Sequence, residues 1–229
     1  MVRAILFDMG GTLDGDGQHW LDRFAALYRK FGVELPRETF DEAERRANND
    51  DEIATAGFQR MIELHVKWQL AHLGLTNPGL KENLINGFSG PVREAAAANV
   101  GLLAELSERG FTLGVVSNGC GNVDKLCADF GYTPFLSTIV DSRRVGVSKP
   151  DPAIYVLAAQ DLGLAPEEIM MVGDSFDRDV RPAKKIGMKT AWLEGPVSRD
   201  CPDPSLVDLH LRRLADLPGL LGALSGAVA

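Results

Sequence analysis

Short apolar runs separated by longer helical patterns organise most of this chain. Runs at residues 4–7, 112–116, 137–140, 169–172 and 189–192 end in small or acidic residues, and helical periodicity follows them. Continuous apolar runs of that kind predict strands of a parallel sheet buried on both faces by helices. The clearest helix precedes the second run: Val92, Ala96, Val100, Leu103 and Leu106 share one face, and Gly110 stands where a helix stops. Between Asp14 and Gly90 the pattern changes, because residues 20–31, 37–48 and 58–73 read as helices with no strand among them. The expected architecture is an α/β core, a doubly wound, Rossmann-like parallel sheet built from residues 1–14 and 90–229. A smaller, all-helical domain at residues 15–89 interrupts it. After Trp192 the chain turns through Gly195-Pro196 and Cys201-Pro202-Asp203-Pro204, then gives one last apolar pattern around residues 206–220.

Composition narrows the class. A chain of 229 residues, 45% hydrophobic and 24% charged, can bury one main core and carry one inserted subdomain. Its formal charge of -8 would repel a nucleic acid backbone or an anionic membrane, so neither partner is expected. A phosphate ligand would need local cations or a metal. The opening run, residues 2–7, is too short for a signal sequence and ends at Asp8, and no stretch approaches the roughly 20 apolar residues of a membrane span. Cys120, Cys127 and Cys201 are odd in number and lack metal-ligand spacing, which predicts reduced thiols in a soluble, cytoplasmic protein.

In open parallel sheets, ligands bind at the carboxyl ends of the strands. The first run ends in Phe7-Asp8-Met9-Gly10-Gly11-Thr12-Leu13, a carboxylate at a strand tip followed by glycines that can turn tightly. Asp8 is placed either to attack a substrate or to cap the turn, and the segment alone leaves both open. The second run ends in Ser117-Asn118-Gly119. A hydroxyl and free amides there could hold a phosphoryl oxygen, although Ser-Asn-Gly is also an ordinary turn sequence. Next comes Ser148-Lys149-Pro150-Asp151-Pro152, where prolines stiffen the chain ahead of a helix at residues 153–162 and make a fixed point charge of the lysine. The fourth run enters Gly173-Asp174-Ser175-Phe176-Asp177-Arg178-Asp179. Carboxylates so crowded repel unless a cation offsets them, and hard oxygen ligands suit magnesium, while at least one should cap the following helix.

A nucleophile candidate, a hydroxyl turn, a fixed lysine and an acidic loop, in that order and each at a strand end, resemble the four motifs of the haloacid dehalogenase superfamily, in its phosphatase-like branch with a helical cap inserted after the first motif. The resemblance implies that Asp8 attacks phosphorus to form an aspartyl-phosphate. It implies a magnesium ion held by Asp8, the Gly10 carbonyl, Asp174 and Asp179, the last as ligand or in support. It also implies that Ser117, Asn118 and Lys149 bind the phosphate, with Ser117 and Lys149 orienting the nucleophile. Asp177 matches no family role. The implied activity is magnesium-dependent hydrolysis of a small phosphorylated metabolite.

One position departs from the pattern. Family phosphatases carry a second Asp two residues after the nucleophile, as general acid and base, and here that position is Gly10. General acid–base catalysis is worth about 10² to 10⁴ in rate, so a slow phosphatase is expected. Asp14 and Asp16 are candidate substitutes, read first as solvated hinge or turn residues. Two alternatives stay open: a dehalogenase-type hydrolase, which has no use for the acidic cluster, and a phosphate- or partner-binding protein that has lost turnover. In the cap, Arg45, Arg46, Asn48, Asn49 and Trp68 are candidate substrate contacts, but an amphipathic helix face explains each of them as well.

Overall fold

The computed structural model describes residues 1–48 and 50–225. Its core is a six-stranded, all-parallel sheet of β1 (Ala4–Phe7), β2 (Thr112–Ser117), β3 (Leu136–Asp141), β4 (Ile169–Gly173), β5 (Lys189–Leu193) and β6 (Leu209–Leu211), in the order β3-β2-β1-β4-β5-β6. The five strands expected from the apolar runs are present. The sixth lies inside the last apolar pattern, which is too short and mixed to declare a strand by itself. Both neighbours of β1 are in the sheet interior, and the chain winds from β1 to β2 and β3 on one side before crossing back to β4, β5 and β6 on the other. That reversal opens a crevice at the carboxyl ends, which is where such folds place ligands.

Alternation along β1 sends Ile5 and Phe7 into one apolar layer and Ala4 and Leu6 into the other, all fully buried. The helices are α1 (Trp20–Lys30), α2 (Arg37–Asn48), α3 (Phe58–His72), α4 (Pro78–Glu108), α5 (Val123–Asp129), α6 (Ser142–Val145), α7 (Ala153–Leu162), α8 (Arg181–Lys185) and α9 (Leu217–Ser225). Helices α1 to α3 match the three expected between the first and second strands.

Helix α4 differs from expectation. It runs 31 residues without interruption across residues 89 and 90, despite Gly87, Gly90 and an internal Pro91. Propensity alone would break it there, since a proline inside a helix costs about 3 kcal/mol. Tertiary packing overrides this: Leu80, Leu84, Phe88, Val92 and Ala96 recur every four residues and are all buried. Among the described residues, no helix is long and apolar enough to cross a membrane.

Candidate active site

Asp8 leaves β1 with its N–H donated to the Val172 carbonyl at 2.9 Å, so its backbone is held by the neighbouring strand. A wide turn, Met9–Leu13, follows, with Gly10 at φ -78, ψ 106 and Gly11 at φ 100. A Cβ on Gly11 would lie 2.8 Å from Asp174 Oδ2, so both the positive φ and the contact require glycine. Asp14 closes the turn by accepting from the Gly11 N–H at 2.7 Å, the Arg23 guanidinium at 3.0 Å and the Trp20 indole N–H. It is completely buried and its oxygens are taken up by those donors, which corrects its reading as a solvated hinge residue. Asp16 is a turn residue, at φ 46, and accepts from the Leu214 N–H at 2.6 Å.

The other strand ends converge on Asp8. Lys149 is buried, and its ammonium donates to Asp8 Oδ1 at 2.5 Å and to Asp179 Oδ1 at 2.7 Å. Its main chain is clamped by Asn118, whose Oδ1 accepts the Lys149 N–H at 2.8 Å and whose Nδ2 donates to the Lys149 carbonyl at 2.9 Å. The Asn118 side chain is thus committed to holding the lysine loop, while the residue itself lines the cavity beside Ser117. Asp174 receives a hydrogen bond from the Thr12 hydroxyl at 3.2 Å, and Asp179 one from the Ser175 N–H at 3.0 Å. Ser117 is buried at the tip of β2 and faces the same cavity as Asp8 and Lys149. Asp177 is exposed and pairs with Arg181 one helical turn on, a surface role.

Charge crowding is severe here. Asp8, Asp174 and Asp179 are all buried, and each offers a carboxylate oxygen within 4.8 Å of the others. Burial, then the nearby Asp8 and Asp179, pushes Asp174 up to about 8. Burial likewise raises Asp179, against the pull of Lys149. For Lys149 desolvation acts downward, but Asp179 and Asp8 together outweigh it and hold the ammonium above its ordinary value. One ammonium facing three carboxylates leaves Asp174 without a cation. Hard oxygens with unmet negative charge fit magnesium. The carboxylates are seated against glycines, since a Cβ on Gly173 would fall 2.3 Å from Asp179 Oδ2 as one on Gly11 would fall 2.8 Å from Asp174 Oδ2. Gly173→Ala should therefore displace Asp179, costing about 1–3 kcal/mol of stability and weakening magnesium binding; thermal melts with and without magnesium check both.

The cavity lined by Asp8, Ser117, Lys149 and Asp179 measures about 290 Å³ and is also lined by Gly10, His19, Trp20, Met61, His65 and Arg178. The sequence reading missed five of those six. Their only signal was position on α1, α3 or the acidic loop, where core packing or solvation explains such residues equally well. Arg45 and Arg46 are instead exposed on α2 and paired with Glu42. Arg46 and Trp68 line a separate surface cavity with Asp50 and His72, and the Trp68 indole donates to Asp50. Asn48 ends α2, and Asn49 lies outside the described residues.

Residues 2–187 match the haloacid dehalogenase-like hydrolase family. The chain belongs to that family. Glyceraldehyde 3-phosphate phosphatase of Methanothermobacter thermautotrophicus is 30% identical over 209 residues, covering 86% of this chain and 88% of its own. The enzyme of the same name from Methanopyrus kandleri is 42% identical over 93 residues, so this chain spans only 40% of that relative's length. Among solved structures, a dehalogenase with an intermediate complex superposes with a TM-score of 0.64 at 22% identity over 96% of each chain. That likeness concerns the fold alone, which phosphatases and dehalogenases of the family share.

Proposed function

We propose that this family member is a magnesium-dependent phosphatase of small phosphate monoesters, with Asp8 as nucleophile. The observation that carries the reading is the buried cluster of three carboxylates in which the single ammonium of Lys149 bridges Asp8 and Asp179, while Asp174 has no ion-pair partner among the described residues. A dehalogenase attacking carbon would gain nothing from that third carboxylate. Named phosphatase relatives along most of the chain support the same choice.

Asp8, Asp174, Asp179 and the Gly10 carbonyl are the groups that would hold magnesium, which when bound polarises the phosphoryl oxygens and offsets their charge. Lys149 orients Asp8 and offsets repulsion between carboxylate and phosphate. Ser117 donates to a phosphoryl oxygen, and Asn118 fixes Lys149. An Asp8 oxygen forms a bond to phosphorus as the ester P–O bond breaks. Water then attacks phosphorus, releasing phosphate and restoring the carboxylate. We assign helices α1 to α3 and the start of α4, residues 15–89, to a cap that excludes water from this step, and we place the enzyme in the cytoplasm with its three thiols reduced.

Phosphate release from a panel of metabolite phosphates should need magnesium and stop with chelator. Turnover of chloroacids that survives chelator would replace this reading by the dehalogenase one. Asp174→Ala should raise the magnesium concentration for half-maximal rate on the order of tenfold or more. Because the buried Asp174 carboxyl must lose its proton to bind a cation, the magnesium requirement of the parent should fall as pH rises towards about 8 and level off above. Coincident titrations of parent and variant would place the metal elsewhere.

A further inference from the structure

We infer that the substrates are aryl phosphates with a single-ring leaving group, selected by Trp20; this rests on the phosphatase reading above. The first ground is the missing carboxylic acid beside the leaving group. Asp8 and Asp179 are the carboxylates that line the cavity, and Lys149 holds both. Residue 10 contributes only backbone, and Asp14 is spent on Gly11, Trp20 and Arg23. Once the P–O bond breaks, a phenolate can depart with its electron pair and take a proton from solvent later, whereas an alkoxide needs the proton during departure.

The second ground is the cavity wall. Trp20 is fixed beside the nucleophile's turn: its indole N–H is held by Asp14, and Phe88 packs edge-on at 4.9 Å between centroids. A Cβ on Gly10 would meet the Trp20 Cδ1 and Nε1 at 3.5 Å, so the indole borders the place where the side chain of residue 10 is absent. Leu21, Met61, Val123 and Leu126 continue an apolar lining. Such a wall suits a ring, through aromatic stacking and the thioether. Arg178 is the one cation besides Lys149 among the described arginines and lysines lining the cavity, and its Nε is already tied to the Ser175 hydroxyl. At about 290 Å³, the space sits at the small end of ligand pockets and fits one ring plus phosphate.

The test compares kcat/KM for phenyl phosphate, glycerol phosphate and acetyl phosphate in the magnesium-loaded enzyme. Phenyl phosphate should exceed glycerol phosphate by about 100-fold or more. Acetyl phosphate separates leaving-group chemistry from ring binding: Trp20→Leu and Trp20→Phe both lose the bond to Asp14, so any effect on acetyl phosphate should be shared by the two, whereas the ratio of phenyl to acetyl phosphate kcat/KM should fall about three- to tenfold in Trp20→Leu and be kept in Trp20→Phe. Gly10→Asp, whose Cβ meets only ordinary contacts at a negative φ, should narrow the phenyl-to-glycerol gap. Equal rates on phenyl and glycerol phosphates would overturn the inference while leaving the phosphatase reading intact, and would point to His19 or His65 as donor. Binding of phenylphosphonate and methylphosphonate by calorimetry decides the matter without turnover. Phenylphosphonate should bind at least about tenfold more tightly. Equal affinity overturns the inference, whereas absence of hydrolysis on every substrate overturns the phosphatase reading.

Discussion

Asp8→Asn should remove phosphate release, with a loss on the order of 10⁴-fold or greater, while the protein stays folded. The amide keeps the shape of the carboxylate but is a far poorer nucleophile. Stability should barely suffer, because Lys149 retains Asp179 at 2.7 Å. Removing one of three crowded carboxylates also relieves its neighbours: Asp8 is among the causes that raise both Asp174 and Asp179, so both should titrate closer to ordinary carboxylates in the variant. Phosphate-release assays beside a thermal melt read the two halves of this expectation. A variant with parental turnover would sink Asp8 as nucleophile, and one that fails to fold would show Asp8 to be needed for structure first.

The strand ends were legible in the sequence because parallel strands buried on both faces must be apolar throughout, so the first polar residue after each run marks the edge of the sheet. Asp8, Ser117 and Asp174 stand out for that reason, Lys149 because prolines fix its loop, and the structure gathers the loops that carry them around one cavity. What composition and period could not reveal was how polar side chains partner one another. Asn118 reads as a turn residue offering backbone donors, and nothing in the turn signals that its side chain clamps a loop 31 residues away. Asp14 reads as solvated because aspartates in turns usually are, and only the approach of Trp20 and Arg23 from α1 makes its burial tolerable. The continuity of α4 was hidden for a related reason, since Gly87, Gly90 and Pro91 are local signals while the i, i+4 apolar row that overrules them acts through packing. Trp20 itself carried no mark, as an aromatic at the start of an amphipathic helix is ordinarily core.

Lys149→Met should be the most damaging single change in both activity and stability. The side chain matches lysine in length and apolar stem but strips Asp8 and Asp179 of their shared cation inside a site where all three groups are buried. Breaking a buried ion pair from one side costs about 3–5 kcal/mol, a large part of the roughly 5–15 kcal/mol that holds a typical domain. In a chain of this size that corresponds to a melting temperature lower by about 6–20 °C. The pH dependence fixes the cause. In the parent, the ammonium is charged in folded and unfolded states alike at neutral pH, and its contribution is lost only as pH rises through its raised folded value. In the variant, carboxylates whose folded values are raised bind protons that the unfolded chain has released. The deficit therefore develops above the ordinary carboxylate range of about 4 and should be smaller at about pH 5 than at about pH 8. Magnesium should act in the opposite direction to the mutation, since three unpaired carboxylates attract a dication more strongly than a cluster already holding an ammonium. Chelated and magnesium-saturated melts at both pH values provide the measurement: the rise in melting temperature on adding magnesium should exceed that of the parent, although catalysis stays lost. A variant that melts within a degree or two of the parent at about pH 8 would mean that Lys149 does not neutralise this cluster.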